Sequence, residues 1–154
     1  MCQKRAHTFY CTDLIDLKPG NILIDRLFHP HITDFGLSKI YELGHSNSQS
    51  IWCRTPGYMA PEVINNDPYN TKADVYSFAI IMHQIVTDLI PYPLFERGQI
   101  NEFQLNQKII DENYRPEFTV PINSKLKKLI EKCWSKDPND LPSFEKIFKI
   151  LAHD

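Results

Sequence analysis

The sequence lacks the long apolar run that a transmembrane helix requires. Its most apolar stretch, residues 78–86, is interrupted by His83 and Gln84, whereas a spanning helix needs about 20 predominantly apolar residues. Residues 1–12 also lack the apolar segment of a signal peptide. We therefore predict no membrane partner.

The four cysteines lack the spacing of a disulfide framework or a zinc site. None of them forms a C-x-x-C pair, and no two of the six histidines stand at zinc-finger spacing. Cysteines without such a pattern are typical of a reducing compartment. We therefore expect a cytoplasmic protein without structural disulfides.

An excess of charge of either sign is also missing. The formal net charge is -2, which gives no global attraction to nucleic acid, and we predict no nucleic-acid partner. A local lysine cluster (Lys125, Lys127 and Lys128) is interpreted as a solvated helix face, with a binding patch as the alternative.

Length and composition indicate one globular domain. The chain has 154 residues, 42% of them hydrophobic and 23% charged, which is enough for one buried core. Residues 21–25 (N-I-L-I-D) alternate as a short strand, and residues 31–33 are its expected partner. The rest has helical periodicity, so the predicted fold class is mainly α with a small β element.

Four helices are predicted after the loop-like residues 34–57. The first covers residues 73–86, is apolar on most sides and begins at a capping-box-like Thr71. The second covers residues 101–112, and the third begins near Ser124. Ser143 is the expected N-cap of the last, with Phe144, Ile147, Phe148 and Leu151 on one face.

The segment D-L-K-P-G-N, residues 16–21, combines a carboxylate, an ammonium group and an amide just before the strand. Such a loop can direct Asp16 and Asn21 at one point. Asp16 could accept a hydroxyl proton, Lys18 could neutralise phosphate, and Asn21 could offer a carbonyl oxygen to Mg²⁺.

A second acidic residue follows in D-F-G, residues 34–36. A carboxylate beside a turn-permitting glycine suits a hard cation that holds polyphosphate. Asp34 is therefore the second candidate ligand for Mg²⁺.

These two segments resemble the catalytic loop and the D-F-G motif of protein kinases. G-Y-M-A-P-E at residues 57–62 resembles the end of the activation segment, and D-V-Y-S-F at residues 74–78 resembles the start of the buried helix of the C-terminal lobe. C-W at residues 133–134 and P-S-F at residues 142–144 resemble the closing helices. The pattern is similar to the tyrosine-kinase-like group of serine/threonine kinases.

The resemblance implies a role for each matching residue in transfer of the ATP γ-phosphoryl group to protein Ser or Thr. Asp16 would be the catalytic base, and Lys18 would contact the γ-phosphate. Asn21 and Asp34 would hold Mg²⁺, and Leu23 would lie beneath the adenine. Thr55 would contact the catalytic loop, and Glu62 would belong to the activation segment. Lys18 together with Thr55 favours serine/threonine over tyrosine specificity.

The sequence departs from the family pattern in what precedes Asp16. Neither the glycine-rich phosphate loop nor the V-A-I-K lysine of the N-terminal lobe is present. Residues 1–154 are therefore interpreted as a partial kinase domain, a C-terminal lobe without its N-terminal lobe. We expect a partner to cover the open face.

Two substitutions leave a second interpretation open. The arginine of the family's H-R-D is Ile15, and Leu141 replaces the arginine that pairs with the activation-segment glutamate, here Glu62. A serine/threonine kinase remains the first hypothesis. The alternative is a binding module or truncated remnant without catalysis.

Overall fold

The computed structural model describes residues 16–33 and 55–152, together with two short strands, β1 (Thr12–Asp13) and β4 (Lys39–Ile40). These two strands pair in an antiparallel manner. The predicted residues Ile15 and Asp34 lie outside the described residues. No helix in the described part of the chain is long and apolar enough to cross a bilayer.

A β-hairpin follows the D-L-K-P-G-N segment. β2 (Ile22–Ile24) pairs antiparallel with β3 (Pro30–Ile32), and Leu23 lies opposite His31. The turn between them is held by Asp25, whose Oδ1 accepts the backbone N–H groups of Leu27 and His29 at 2.8 and 2.9 Å. The predicted strand pair is confirmed, with β3 beginning one residue earlier than expected.

Six α-helices lie in the described part of the chain. They are α1 (Pro61–Ile64), α2 (Lys72–Thr87), α3 (Pro93–Glu96), α4 (Glu102–Asp111), α5 (Ser124–Cys133) and α6 (Phe144–Leu151). The predicted helices at residues 73–86 and 101–112 correspond to α2 and α4. The last two predicted helices are α5 and α6.

Helix α2 forms the centre of the core and packs against α5, while α1 packs against α4. The side chains of Tyr76, Ile80 and Ile130 are fully buried between these helices. The apolar sequence of α2 predicted this burial, and the exception is Ile85, which is 73% exposed. Most of the apolar surface of α2 is therefore covered within this chain.

The predicted N-cap is confirmed at α6 but not at α2, and α4 has a capping box that was not predicted. Asn101 and Gln104 form a reciprocal capping box at α4, and the Ser143 hydroxyl accepts the N–H of Lys146 at α6. Thr71 makes no side-chain cap, so the predicted capping box there is wrong. Asn70 accepts the N–H of Lys72 at 2.9 Å instead, because its amide reaches the first turn from one residue earlier.

The predicted apolar face of α6 is buried only in part. Ile147 is buried, whereas Phe144, Phe148 and Leu151 are exposed. Phe144 contacts Phe78 edge to face, with 5.7 Å between ring centroids. Since α6 is at the edge of the helical layer, only one row of its apolar side chains meets the core.

Cys133 is fully buried at the end of α5 and should be chemically inert in the folded protein. Burial raises the pKa of its thiol from an ordinary value of 9.0 to about 12, although the positive charge of Lys72 opposes this shift. The thiolate is the reactive form. At pH 8, alkylation of Cys133 in the folded protein should therefore be slower than in the unfolded chain by about a thousandfold or more. Peptide mapping by mass spectrometry after iodoacetamide treatment, with and without urea, measures this; equal labelling in both would contradict it.

Candidate active site

Asp16 and Lys18 form a close ion pair ahead of the hairpin. Lys18 Nζ lies 2.7 Å from Asp16 Oδ2, and the side chain of Asp16 is only 8% exposed. The backbone then makes a short 3-10 turn, Pro19–Asn21, which begins with a proline in a position that needs no N–H donor. This turn brings Asn21 back towards Asp16.

Asn21 is 7% exposed and also contacts Asp16. Its Nδ2 donates to the backbone carbonyl of Asp16 at 2.9 Å and to Asp16 Oδ2 at 3.1 Å. Thr33, just beyond β3, fixes the backbone of Asn21, because the N–H and the hydroxyl of Thr33 both donate to the backbone carbonyl of Asn21. Sequence reasoning missed this role of Thr33, although the expected pairing of residues 31–33 with the first strand placed it nearby.

Thr55 reaches the same loop from 39 residues farther along the chain. Lys18 Nζ donates to Thr55 Oγ1 at 2.6 Å, and the Thr55 N–H donates to Asp16 Oδ1 at 3.4 Å. The structure thus brings Asp16, Lys18, Asn21 and Thr55 into one hydrogen-bonded group. Of the other predicted residues, Leu23 is exposed on β2, Glu62 lies in α1, and Asp34 is outside the described residues.

The segment after Thr55 is attached to the central helix. Gly57 has φ +87°, a left-handed conformation that disfavours other residues, and a Cβ there would lie 3.1 Å from the Tyr92 ring. The next residue, Tyr58, donates its hydroxyl to Gln84 and accepts the Ser77 hydroxyl at its carbonyl, at 2.8 and 2.7 Å. These bonds to α2 fix the position from which Thr55 reaches Asp16.

The two carboxylate oxygens of Asp16 have different surroundings. Among the described residues, Oδ2 takes the short contacts from Lys18 and Asn21, whereas Oδ1 receives only the long bond from Thr55. A hydrogen bond of 3.4 Å is weak compared with one near 2.9 Å. Oδ1 is therefore the oxygen better able to accept a further hydrogen bond from a substrate hydroxyl.

The amide of Asn21 has an orientation that fits a hard cation. Its NH₂ group makes both hydrogen bonds to Asp16, and no hydrogen bond from a described residue uses its Oδ1. A carbonyl oxygen is a suitable ligand for Mg²⁺. Within the described residues no group of three or more His, Cys, Asp or Glu side chains could hold a metal ion, so Asn21 needs a further ligand from elsewhere.

Glu62 occupies the first turn of α1 without an ion-pair partner among the described residues. Burial raises the pKa of its carboxyl above the ordinary value, while its backbone N–H and the positive charge of Arg115 oppose the shift. The guanidinium of Arg115 is bonded to the backbone carbonyls of Ile109, Tyr114 and Trp134. Leu141, which stands where the kinase pattern has an arginine, is buried in the core.

Replacing Glu62 by glutamine should therefore stabilise the protein at pH 7 by at most about 1 kcal/mol, because solvent screens the partly exposed carboxylate. Because the pKa of Glu62 is raised in the folded state, protonation of Glu62 favours folding at low pH. That stabilisation is lost as the pH rises through the folded-state pKa. The gain from Glu62→Gln should thus shrink as pH falls to about 4. Urea unfolding at several pH values measures the effect, and the exposed Glu117→Gln is the matched control. A loss of stability at pH 7 would show that the ionised Glu62 is already satisfied.

A comparison of the sequence with known protein families finds a match that includes this group of residues. A family model described as protein kinase domain matches residues 13–153. The chain belongs to the protein kinase family. The match includes Asp16, Lys18, Asn21, Thr55 and Glu62, and it also includes Asp34.

The relatives are kinases of more than one specificity. The chain is 36% identical over 163 residues to a protein kinase and PP2C-like domain-containing protein of Oryza sativa, covering 88% of this chain and 25% of the relative. It is 38% identical to the probable serine/threonine-protein kinase drkC of Dictyostelium discoideum (96% and 20%) and 39% identical to the dual specificity protein kinase shkA (88% and 25%) of the same organism. The chain thus spans a quarter or less of the length of these relatives.

Proposed function

We propose that this chain contributes the C-terminal lobe of a protein kinase that transfers the ATP γ-phosphoryl group to protein Ser or Thr. The observation that carries the proposal is the contact of Asp16 with Lys18, Asn21 and Thr55, which joins a catalytic loop to the segment that precedes α1. We also propose membership of the tyrosine-kinase-like group and a cytoplasmic location.

In the proposed reaction, Asp16 Oδ1 accepts the proton of the substrate hydroxyl as its oxygen attacks the γ-phosphorus. The bond from that phosphorus to the oxygen shared with the β-phosphate breaks, and ADP leaves with the electron pair. Lys18 offers positive charge to the transferring group, within a loop whose geometry is already set. Asn21 and Asp34 would hold Mg²⁺, which when bound neutralises phosphate charge.

Specificity for Ser and Thr rests on the contact between Lys18 and Thr55. The 2.6 Å bond from Lys18 Nζ to Thr55 Oγ1 places the ammonium group directly beside the Asp16 carboxylate. By the resemblance to protein kinases, Lys18 together with Thr55 favours serine/threonine over tyrosine specificity. One relative is named a dual specificity protein kinase, so identification of the phosphorylated residues tests this specificity.

The hairpin offers a surface for the remaining kinase lobe or for a partner. Leu23 is 57% exposed on β2 and Phe28 is 86% exposed in the turn, and Ile24 and Leu27 are exposed as well. Several large apolar side chains exposed on one hairpin are typical of a contact with another protein segment or ligand. Leu23 is the residue that we propose beneath the adenine.

The proposal is tested with the full-length gene product, tagged and purified from its own cells. It is incubated with γ-labelled ATP, Mg²⁺ and a general protein substrate, and the labelled residues are identified. We expect phosphoserine and phosphothreonine, together with a Mg²⁺-ATP-dependent rise in melting temperature, since a ligand that binds only the folded state stabilises it. Phosphotyrosine in similar amounts would contradict the specificity.

The second candidate function is a binding module without catalysis, favoured by the absence of an ion-pair partner for Glu62 within the described residues. That module would show neither transfer nor stabilisation by Mg²⁺-ATP. It would still bind a protein partner without nucleotide. The same two measurements therefore separate the two functions.

A further inference from the structure

A groove of about 680 Å³ lies between the start of α2, one side of α5, the turn at Pro138–Asp140 and α6. None of the residues that line it belongs to the loop around Asp16 or to the segment from Thr55 to Glu62. The groove is thus separate from the proposed phosphotransfer site. Its chemistry differs from that of the protein as a whole.

Lysines dominate the charge of this groove. Five of them line it, against a single acidic residue, Asp140, which gives a local formal charge of +4 in a chain whose net charge is -2. They come from three separate helices and are Lys72, Lys125, Lys128, Lys132 and Lys146. The same sign of charge therefore converges on the groove from several directions.

Four of these lysines, Lys72, Lys128, Lys132 and Lys146, have at most a weak ion-pair partner within the described residues. Lys132 and Asp140 are 3.9 Å apart and exposed, a geometry in which an ion pair has little energy. Lys128 and Lys146 have no carboxylate within ion-pair distance among the described residues. Lys72 donates to the backbone carbonyl of Leu141. Because that carbonyl is neutral, the bond does not cancel the positive charge of Lys72. An anionic ligand would supply what these lysines lack.

The floor of the groove is apolar. It contains Leu129, Leu141 and Pro142, which are buried, and the partly exposed Ile150 at one side. An apolar floor bordered by lysines fits a ligand that carries both carboxylates and an apolar side chain. Lysine ammonium groups are flexible point charges without the fixed geometry of arginine, and they adapt to carboxylates spaced along an extended chain.

Nucleic acid fits this surface less well. The lining contains neither arginine nor an aromatic side chain, whereas single-stranded nucleic acid is bound largely by stacking on aromatic rings. A long polyanion extends beyond the groove, so the net negative charge of the chain opposes its binding more than the binding of a short acidic segment. The composition of the groove thus separates the two classes of ligand.

We propose that this groove docks an acidic peptide segment of a protein partner, with its carboxylates at the lysines and one apolar side chain on the floor. The site goes beyond phosphotransfer, since it binds whether or not the chain is catalytically active. In an active kinase it would hold a substrate or regulator at a point remote from Asp16. Lys125 and Lys128 of the lysine cluster at the start of α5 are therefore part of a binding surface, whereas Lys127 lies outside the groove.

The test is fluorescence anisotropy of the full chain with a labelled peptide in which glutamates flank one leucine. The variant Lys128→Gln/Lys132→Gln/Lys146→Gln should weaken binding by about fivefold to tenfold, because each exposed ion pair contributes modestly and three are removed. The matched control Lys127→Gln/Lys136→Gln/Lys149→Gln removes the same charge from lysines outside the groove and should stay within about twofold of the parent. Affinity should also fall as salt is raised from about 0.05 to 0.5 M.

Three results would overturn the proposal. Equal losses in the two triple variants would mean that binding follows net charge rather than the groove. Unchanged affinity in the groove variant would place the peptide elsewhere. An oligothymidylate that binds as tightly as the peptide, through the same lysines, would mean that the ligand class is wrong. Melting temperatures of both variants near that of the parent protein establish that each is folded.

Discussion

The substitution Asp16→Asn should lower phosphoryl transfer by the full-length protein by about 10² to 10⁴-fold in kcat. Asparagine keeps the shape of the side chain, and its carbonyl can still accept from Thr55 or Asn21. It loses the negative charge that pairs with Lys18 at 2.7 Å, and it cannot take a proton from the substrate hydroxyl. The measurement is initial rate at saturating ATP and protein substrate.

Asp25→Asn is the matched control for this variant. Asp25 lies in the turn of the same hairpin, where its Oδ1 accepts two backbone N–H groups that an asparagine oxygen can also accept. Its kcat should stay within about twofold of the parent, as for most surface changes. Retention of more than a tenth of the activity by Asp16→Asn would mean that Asp16 is not the base, and equal losses in both variants would indicate a general defect of the hairpin.

The substitution Ile130→Ala should destabilise the protein by about 2 to 5 kcal/mol. Ile130 is 0% exposed in α5 and lies in the core where α5 packs against α2. Alanine removes buried apolar area and leaves a cavity that two packed helices close only in part. The measurement is the free energy of unfolding from urea titration, followed by circular dichroism.

The same replacement at Ile85 provides the control, because Ile85 lies on α2 but is 73% exposed. Ile85→Ala should change the free energy of unfolding by less than about 0.5 kcal/mol. A similar loss in the two variants would show that Ile85 is covered in solution by another segment or by a second molecule. A small loss in Ile130→Ala would mean that the contact between α2 and α5 contributes little to stability.

Local sequence patterns predicted the elements around the site well. The alternation of N-I-L-I-D predicted β2, and the expected partner at residues 31–33 overlaps β3 closely. Asparagine at position 101 marks the start of α4, where its side chain accepts the N–H of Gln104. These features depend on residues a few positions apart, so the sequence contains the information directly.

Features that depend on which of several residues makes a contact were predicted less well. Thr71 and Asn70 both have side chains that can cap α2, and only the structure shows that Asn70 makes the bond to Lys72. The helical periodicity of α6 predicted an apolar face but not how much of it would be covered. Burial of Ile147 and exposure of Phe148 follow from the position of α6 at the edge of the core.

The sequence by itself determined the family, because D-L-K-P-G-N, D-F-G and A-P-E follow one another in the order typical of protein kinases. It also predicted one site from Asp16, Lys18 and Asn21, which lie within six residues of each other. The kinase resemblance implied that Thr55 contacts this loop, whereas tertiary structure alone decided that its N–H donates to Asp16 Oδ1 and that lysines of α2, α5 and α6 surround one groove. The physical reason is that periodicity and capping act within a few residues, whereas contacts between distant residues are fixed only when buried helices such as α2 and α5 pack together.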